Sequence, residues 1–285
     1  MLKVKSLTVA ALFVTASMAA SLVEASTQGD WCEQQWEIVS GDPGEGLQPS
    51  YKDILARWQQ YGGKCAGTIA YEARLAILYA QMNEPAKARE VLKKVAGKKS
   101  DYDHLVEIAS LQTEMSEVFA DNRGDKRPQM KALEGKYAAF VRKYPNFIPG
   151  YSMLGSIQSA LDEHHEAIQT LIAGLNNTPK DKRRSPNLWS MYRNLAISYA
   201  GIGDYRKALG AADVAYELKK GISSDRYFMY AMAKACAATG DFKAAQDVLN
   251  VVAARVPEVK NDPKFQSTVR FLADKIQESK QQKKQ

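Results

Sequence analysis

The chain has 285 residues, 45% of them hydrophobic and 9% aromatic, with 39 Lys and Arg against 32 Asp and Glu for a formal charge of +7. That much apolar and aromatic material excludes disorder over most of the length. The mild basicity, without interleaved basic and aromatic positions, argues against nucleic acid as a partner.

Residues 1–25 open with Lys3 and Lys5, continue through the apolar or small stretch LTVAALFVTASMAASLV, and end on Val23-Glu24-Ala25. This is the pattern of a secretory signal cleaved after Ala25, which predicts a periplasmic or secreted mature chain. Thr8, Thr15, Ser17 and Ser21 interrupt the stretch and no basic cluster follows it, so no stable membrane insertion is expected after cleavage. Residues 26–66 hold Trp31, Trp36 and a GDPGEG turn signal, then YKDILARWQQY, which reads as an irregular N-terminal segment followed by a capping helix. Cys32 and Cys65 flank this stretch, and an oxidising compartment predicts a disulfide between them. Cys236, in AMAKACAA, reads as a small buried hydrophobe.

From Tyr51 onward the periodicity is helical, and one phrase recurs: GDYRKA from Gly203 returns as GDFKAA from Gly240. Aligned on it, Leu195, Ala196 and Tyr199 precede the turn and Ala208 follows, while Met232, Ala233 and Cys236 precede the next and Ala245 follows. Further copies carry Leu154, Gly155 and Gln158 before Ala167, and Leu75, Ala76 and Tyr79 before Ala88. In all four copies the second-helix alanine stands nine residues after the aromatic site. Small residues at these places predict close helix approach, with Gly203 and Gly240 supplying a permissive turn and Asp204 and Asp241 capping the second helix. Residues 101–145, with the charged NRGDKRP loop, read as a degenerate helical pair with an enlarged turn. Asp262-Pro263 opens a last amphipathic helix striped by Phe265, Val269, Leu272 and Ile276, followed by a polar tail.

These residues resemble the tetratricopeptide repeat, over most of residues 67–257. The resemblance is to an exported bacterial member, with Gln158 and Cys236 in place of the expected aromatic and Glu72 and Met229 in place of its large partner. It implies an all-α, right-handed α-solenoid of about five helix–turn–helix pairs, at about 67–97, 101–145, 148–179, 185–220 and 222–257, with residues 262–285 as C-terminal cap and basic tail. It also implies a concave groove, lined by the first helices, that takes a peptide or helix from another protein. Carried over position by position, the lining comprises Arg74, Ile77 and Gln81, then Ser152, Ser156 and Ser159, then Arg193, Asn194 and Ile197, and finally Tyr227, Tyr230 and Lys234. Arg193, Asn194 and Lys234 have the chemistry to hold a partner's carboxylate.

No phosphate loop, HExxH, CxxC pair or GxSxG elbow occurs, so no enzyme activity, cofactor or metal is expected. His164-His165 lacks a carboxylate or cysteine at ligand spacing and reads as a solvated turn. Lysines and arginines gather after second helices, as in Lys93, Lys94, Lys98 and Lys99, or Lys180, Lys182, Arg183 and Arg184, while Asp162, Glu163, Asp204 and Asp241 mark the intervening turns. Helix dipoles account for this polarity; attraction to an anionic envelope polymer is its functional counterpart. Two expectations follow: an adaptor for an envelope or secretion-system protein, or a peptidoglycan-associated binding module or enzyme accessory. The latter has only Glu33, Glu37 and Asp42 to offer as glycosidase carboxylates.

Overall fold

The computed structural model describes residues 28–36, 38–40, 50–121, 124–180, 183, 188–219 and 225–283. The expected signal segment, 1–25, the GDPGEG turn, and Lys182 and Arg184 of the basic clusters lie outside them. The fold is all-α, with no strand among the described residues. We label the helical residues 28–36 and 38–40 α1. Then come α2 (Tyr51–Gln59), α3 (Gly62–Cys65), α4 (Ile69–Gln81), α5 (Pro85–Lys93), α6 (Asp103–Ala120), α7 (Arg127–Lys143), α8 (Ile148–Ala160) and α9 (His164–Asn177). The series ends with α10 (Trp189–Gly201), α11 (Tyr205–Leu218), α12 (Arg226–Ala238), α13 (Phe242–Arg255), a 3-10 turn (Pro257–Asn261) and α14 (Pro263–Gln282).

The chain forms two compact units, which part at Gly124 and Asp125, so that α1–α6 belong to the first and α7–α14 to the second. The two helices expected as a pair over 101–145 are therefore divided: α6 packs on α4 and α5, and α7 packs on α8. Where the sequence suggests irregular chain after residue 26, residues 28–36 and 38–40 are helical.

Four helical hairpins, α4–α5, α8–α9, α10–α11 and α12–α13, share one construction. Ala76, Gly155, Ala196 and Ala233 of the first helices and Ala88, Ala167, Ala208 and Ala245 of the second are all buried. At Gly155 the approach is so close that a β-carbon would lie 2.6 Å from Leu171 Cγ. The turns match as well. Asn83, Asp162, Gly203 and Gly240, each five residues before the second-helix alanine, adopt positive φ of 59°, 65°, 79° and 90°. In each turn the following amide donates back five residues, Glu84 to Tyr79 O (2.9 Å), Glu163 to Gln158 O (2.8 Å), Asp204 to Tyr199 O (2.9 Å) and Asp241 to Cys236 O (2.9 Å). These bonds satisfy carbonyls left open where a helix ends. Asp204 and Asp241 then accept from the amides of Lys207 and Ala244 and cap the second helices. Asn83 and Asp162 replace glycine because their short polar side chains tolerate the left-handed region.

In the first unit the core forms around Trp58, Leu78, Leu105 and Ile108, all at most 1% exposed. Trp58 stacks on Tyr71 at 5.1 Å and donates its indole N–H to the Tyr71 carbonyl at 3.2 Å. Cys32 and Cys65 form the expected disulfide and are both fully buried. Glu72, in place of the large apolar residue of the repeat pattern, is 1% exposed; its Oε1 accepts the Gly67 amide at 2.9 Å and its Oε2 lies 3.4 Å from Lys94 Nζ. In the second unit the first helices α8, α10 and α12 pack side by side and α12 packs on α14, while α9 and α11 fill the clefts behind them. No comparable contact joins α9, α11 and α13 to one another among the described residues. Small residues set the spacing here: Ala200, Ala208, Ala231 and Ala235 form a buried cluster flanked by Ile197, Tyr199, Tyr205 and Leu209.

Candidate partner-binding face

On the second unit, α10, α12 and the start of α14 present a strip of cations and aromatics. Arg193 donates its Nε to Asp225 Oδ2 at 2.5 Å, and Asp225 also caps α12 by accepting the Phe228 amide at 3.1 Å. A part-buried ion pair thus joins α10 to the N-terminus of α12. One residue on, Arg226 lies 5.0 Å over the Tyr227 ring, and Lys264 of α14 lies 5.3 Å from the same ring. Tyr227 is 41% exposed, so an outward-facing ring is held between two cations. Tyr230 beneath it is buried, packs edge-on to Tyr227 at 6.2 Å, and donates its hydroxyl to Asp262 at 3.2 Å, the residue that caps α14. Burial and the Asp262 charge push the Tyr230 pKa upward, so the phenol stays a donor.

Lys234 completes the strip one turn beyond Tyr230. It is half-buried, and no carboxylate pairs with it among the described residues. Burial pushes its pKa down, and the charge of Lys264 pushes the same way. His164 belongs to the same electrostatic neighbourhood. Burial lowers its pKa first, Lys264, His165 and Lys234 lower it further, and Asp162 opposes them. Its Nδ1 is buried without a hydrogen-bond partner, and its ring abuts Gly201, where a β-carbon would meet it at 2.3 Å. His164 is therefore a packed side chain and not the solvated one expected; His165 is exposed.

The residues expected to line a groove separate into three groups. Ser152, Ser159 and Asn194 are buried in the seam between α8 and α10: Ser152 bonds Ser190 at 2.9 Å, Ser159 bonds Ser198 at 2.6 Å, and Asn194 donates to the Ser152 carbonyl at 3.1 Å. Ser156, Arg193, Ile197, Tyr227 and Lys234 keep some exposure, whereas Tyr230 supports Tyr227 from below. In the first unit Ile77 is buried, Gln81 is half-buried and Arg74 is taken by Glu33. Sequence reasoning missed Asp225, Arg226 and Lys264. The signal for all three lay in two helix starts: Asp262-Pro263-Lys264, of which only the cap was read, and Asp225-Arg226-Tyr227, of which only Tyr227 was noted. Cys236 is half-buried and burial raises its thiol pKa, which disfavours a reactive thiolate. No group of three metal-ligating side chains occurs among the described residues.

Both units are thus built as an all-α helical-repeat protein with tetratricopeptide-like hairpins. No protein-family model matches the chain, and neither does any curated protein. Solved structures similar to it include MamA of RS-1 as an ArsTM double mutant, at 17% identity over 67% of this chain and 98% of that one, with a TM-score of 0.40. A Podosopora anserina protein described as a kinesin light chain with nearly identical TPR-like repeats is similar at 17% identity, over 69% of this chain and 98% of that one, with a TM-score of 0.43. The TPR2AB domain of yeast Sti1, in a pHSP90 complex, is similar at 11% identity over 90% and 99% of the two chains, with a TM-score of 0.33.

Proposed function

We propose that the protein is an exported adaptor that holds an acidic peptide, or the acidic end of a helix, from an envelope or secretion-system partner on the first-helix face of its second unit. The observation that carries this reading is Lys234, a half-buried cation without a counter-ion among the described residues, beside Lys264 and the exposed Tyr227. Holding an ammonium partly out of water is costly unless a carboxylate answers it. A partner carboxylate at Lys234 and Lys264, with an apolar or aromatic neighbour on Tyr227, supplies that answer. Arg193 is paired with Asp225 and acts by holding α10 against the α12 start. Export rests on the pattern of residues 1–25, and the buried disulfide supports it.

The test is a photo-crosslinker at Tyr227 in the native compartment, followed by mass spectrometry of the adducts. Adducts should carry acidic protein segments and should fall at least tenfold when Lys234→Glu and Lys264→Glu are combined. Undiminished adducts in that variant reject the reading, as would cosedimentation with peptidoglycan in place of protein adducts. N-terminal sequencing of the mature protein should begin at Ser26.

A further inference from the structure

The first-helix face of the first unit already has an occupant. Asp30, Glu33 and Trp36 recur at every third residue of α1 and so lie along one side of it. Asp30 accepts a hydrogen bond from the Tyr102 hydroxyl at the start of α6. Glu33 receives Arg74 of α4 in a fork, through Nε at 3.1 Å and through a terminal guanidinium nitrogen. The Trp36 ring lies 4.9 Å from the Arg74 guanidinium and meets Trp58 of α2 edge-on at 5.2 Å. Gly29 lets the first turn close on Tyr102, since a β-carbon there would come within 3.1 Å of the ring. α1 therefore reaches from α2 past α4 to α6 and covers Arg74, a residue expected to meet a partner. Its grip consists of charge-assisted hydrogen bonds and an indole, with the Cys32–Cys65 bond as its covalent tie.

We propose that α1 is a built-in ligand of the first unit, latched by Cys32–Cys65, and that with the latch open the same face takes a partner helix with carboxylates at i and i+3 and an indole at i+6. The code is the one α1 displays, and the receptor groups are Tyr102, Arg74 and Trp58. Opening the latch consumes a dithiol. One of its thiolates attacks a cystine sulfur and frees one cysteine, the second then attacks the first, closing the reductant's own disulfide and expelling the other cysteine, and Cys32 and Cys65 are left with the two electrons and two protons. Both sulfurs are fully buried, so the reductant reaches them only when α1 lifts. The closed form is thus the persistent one, and the open form is the chain before oxidation. This face is distinct from that proposed for partner capture, and the two proposals fail independently.

The probe is a fluorescent peptide of residues 28–40 carrying Cys32→Ser, titrated by anisotropy. It should show no saturable binding to the oxidised wild-type chain. Saturable binding should appear in a chain with Cys32→Ser, Cys65→Ser, Glu33→Arg and Trp36→Ala, and should weaken at least tenfold on adding Arg74→Glu. Equal binding to wild type, or none to the opened chain while α4 and α6 amides remain protected, overturns the proposal. Should the substitutions unfold the unit, hydrogen exchange of the wild-type chain decides. Reduction should speed exchange in residues 28–36 at least tenfold more than in α4, and an unchanged ratio overturns the latch.

Discussion

At Gly203 and Gly240 the backbone takes φ of 79° and 90°, a region where a side chain costs about 1–2 kcal/mol. No atom lies within 4 Å of a β-carbon built at either position, so conformation and not packing decides the outcome. Gly203→Ala should therefore lower stability by about 1 kcal/mol, while Asn83→Gly, at φ of 59°, should cost nothing or stabilise slightly. Urea unfolding of the two variants checks the opposite directions. His164 acts through its proton. Its pKa in the folded state is held below the ordinary 6.5, by burial above all and then by Lys264, His165 and Lys234 against Asp162. Below pH 6.5 the unfolded chain binds the proton more readily than the folded one, so this contribution is full above that pH and drains as pH falls through it. The melting temperature should drop between pH 7.5 and pH 5, and His164→Phe, which keeps a ring against Gly201, should make the drop smaller. A variant with the same pH slope as wild type would remove His164 from the account.

Hairpin geometry is set where one helix admits the next. At Gly155 the Leu171 side chain sits in the space of a missing methyl, so Gly155→Ala should destabilise by about 1–3 kcal/mol despite alanine's better helix propensity. Leu171→Ala alone should cost about 2–5 kcal/mol, Leu171 being fully buried, and the double variant should cost clearly less than the sum. Additive losses in denaturant titrations would mean that the two residues do not share that space. This interlock was legible in the sequence because notch, aromatic site and turn fall within one hairpin and repeat at fixed spacing. Helix α1 was missed: Cys32, Trp36 and Val39 fall on one side at i, i+4 and i+7, but Gly29 and the GDPGEG turn signal outweighed so short a stripe, and its order comes from Trp58, Arg74, Tyr102 and the disulfide, all distant in sequence. The candidate face was legible in part. Spacing indicates the side of a helix on which Ser152, Asn194 and Lys234 stand, but not how closely α8 and α10 approach. Serine pairs draw those two helices together, which hides Ser152 and Asn194.

Each of the two units has its own fully buried large side chains, Trp58, Leu78, Leu105 and Ile108 in one, Tyr137, Phe140, Leu171, Met191 and Phe228 in the other. A unit with its own core can unfold as its own cooperative step. Only the first holds a cross-link, which joins residues 33 apart in sequence. Closing a loop of that size restricts the unfolded chain by about 3–4 kcal/mol, and in a domain of roughly 100 residues each kcal/mol moves the midpoint by about 4 °C or more. Calorimetry should therefore resolve two transitions, and Cys32→Ser with Cys65→Ser should bring one of them down by 10 °C or more, as an order of magnitude from those same relations, while the other stays in place. Gly155→Ala should do the reverse, lowering only the transition that the cysteine variant leaves alone, because Gly155 and Leu171 both belong to the second unit. A single transition displaced by either change would show the two cores to be one cooperative body. The disulfide-free chain would then lose Lys234 and its neighbours together with α1, and partner capture on the second unit would depend on the oxidation state of the first.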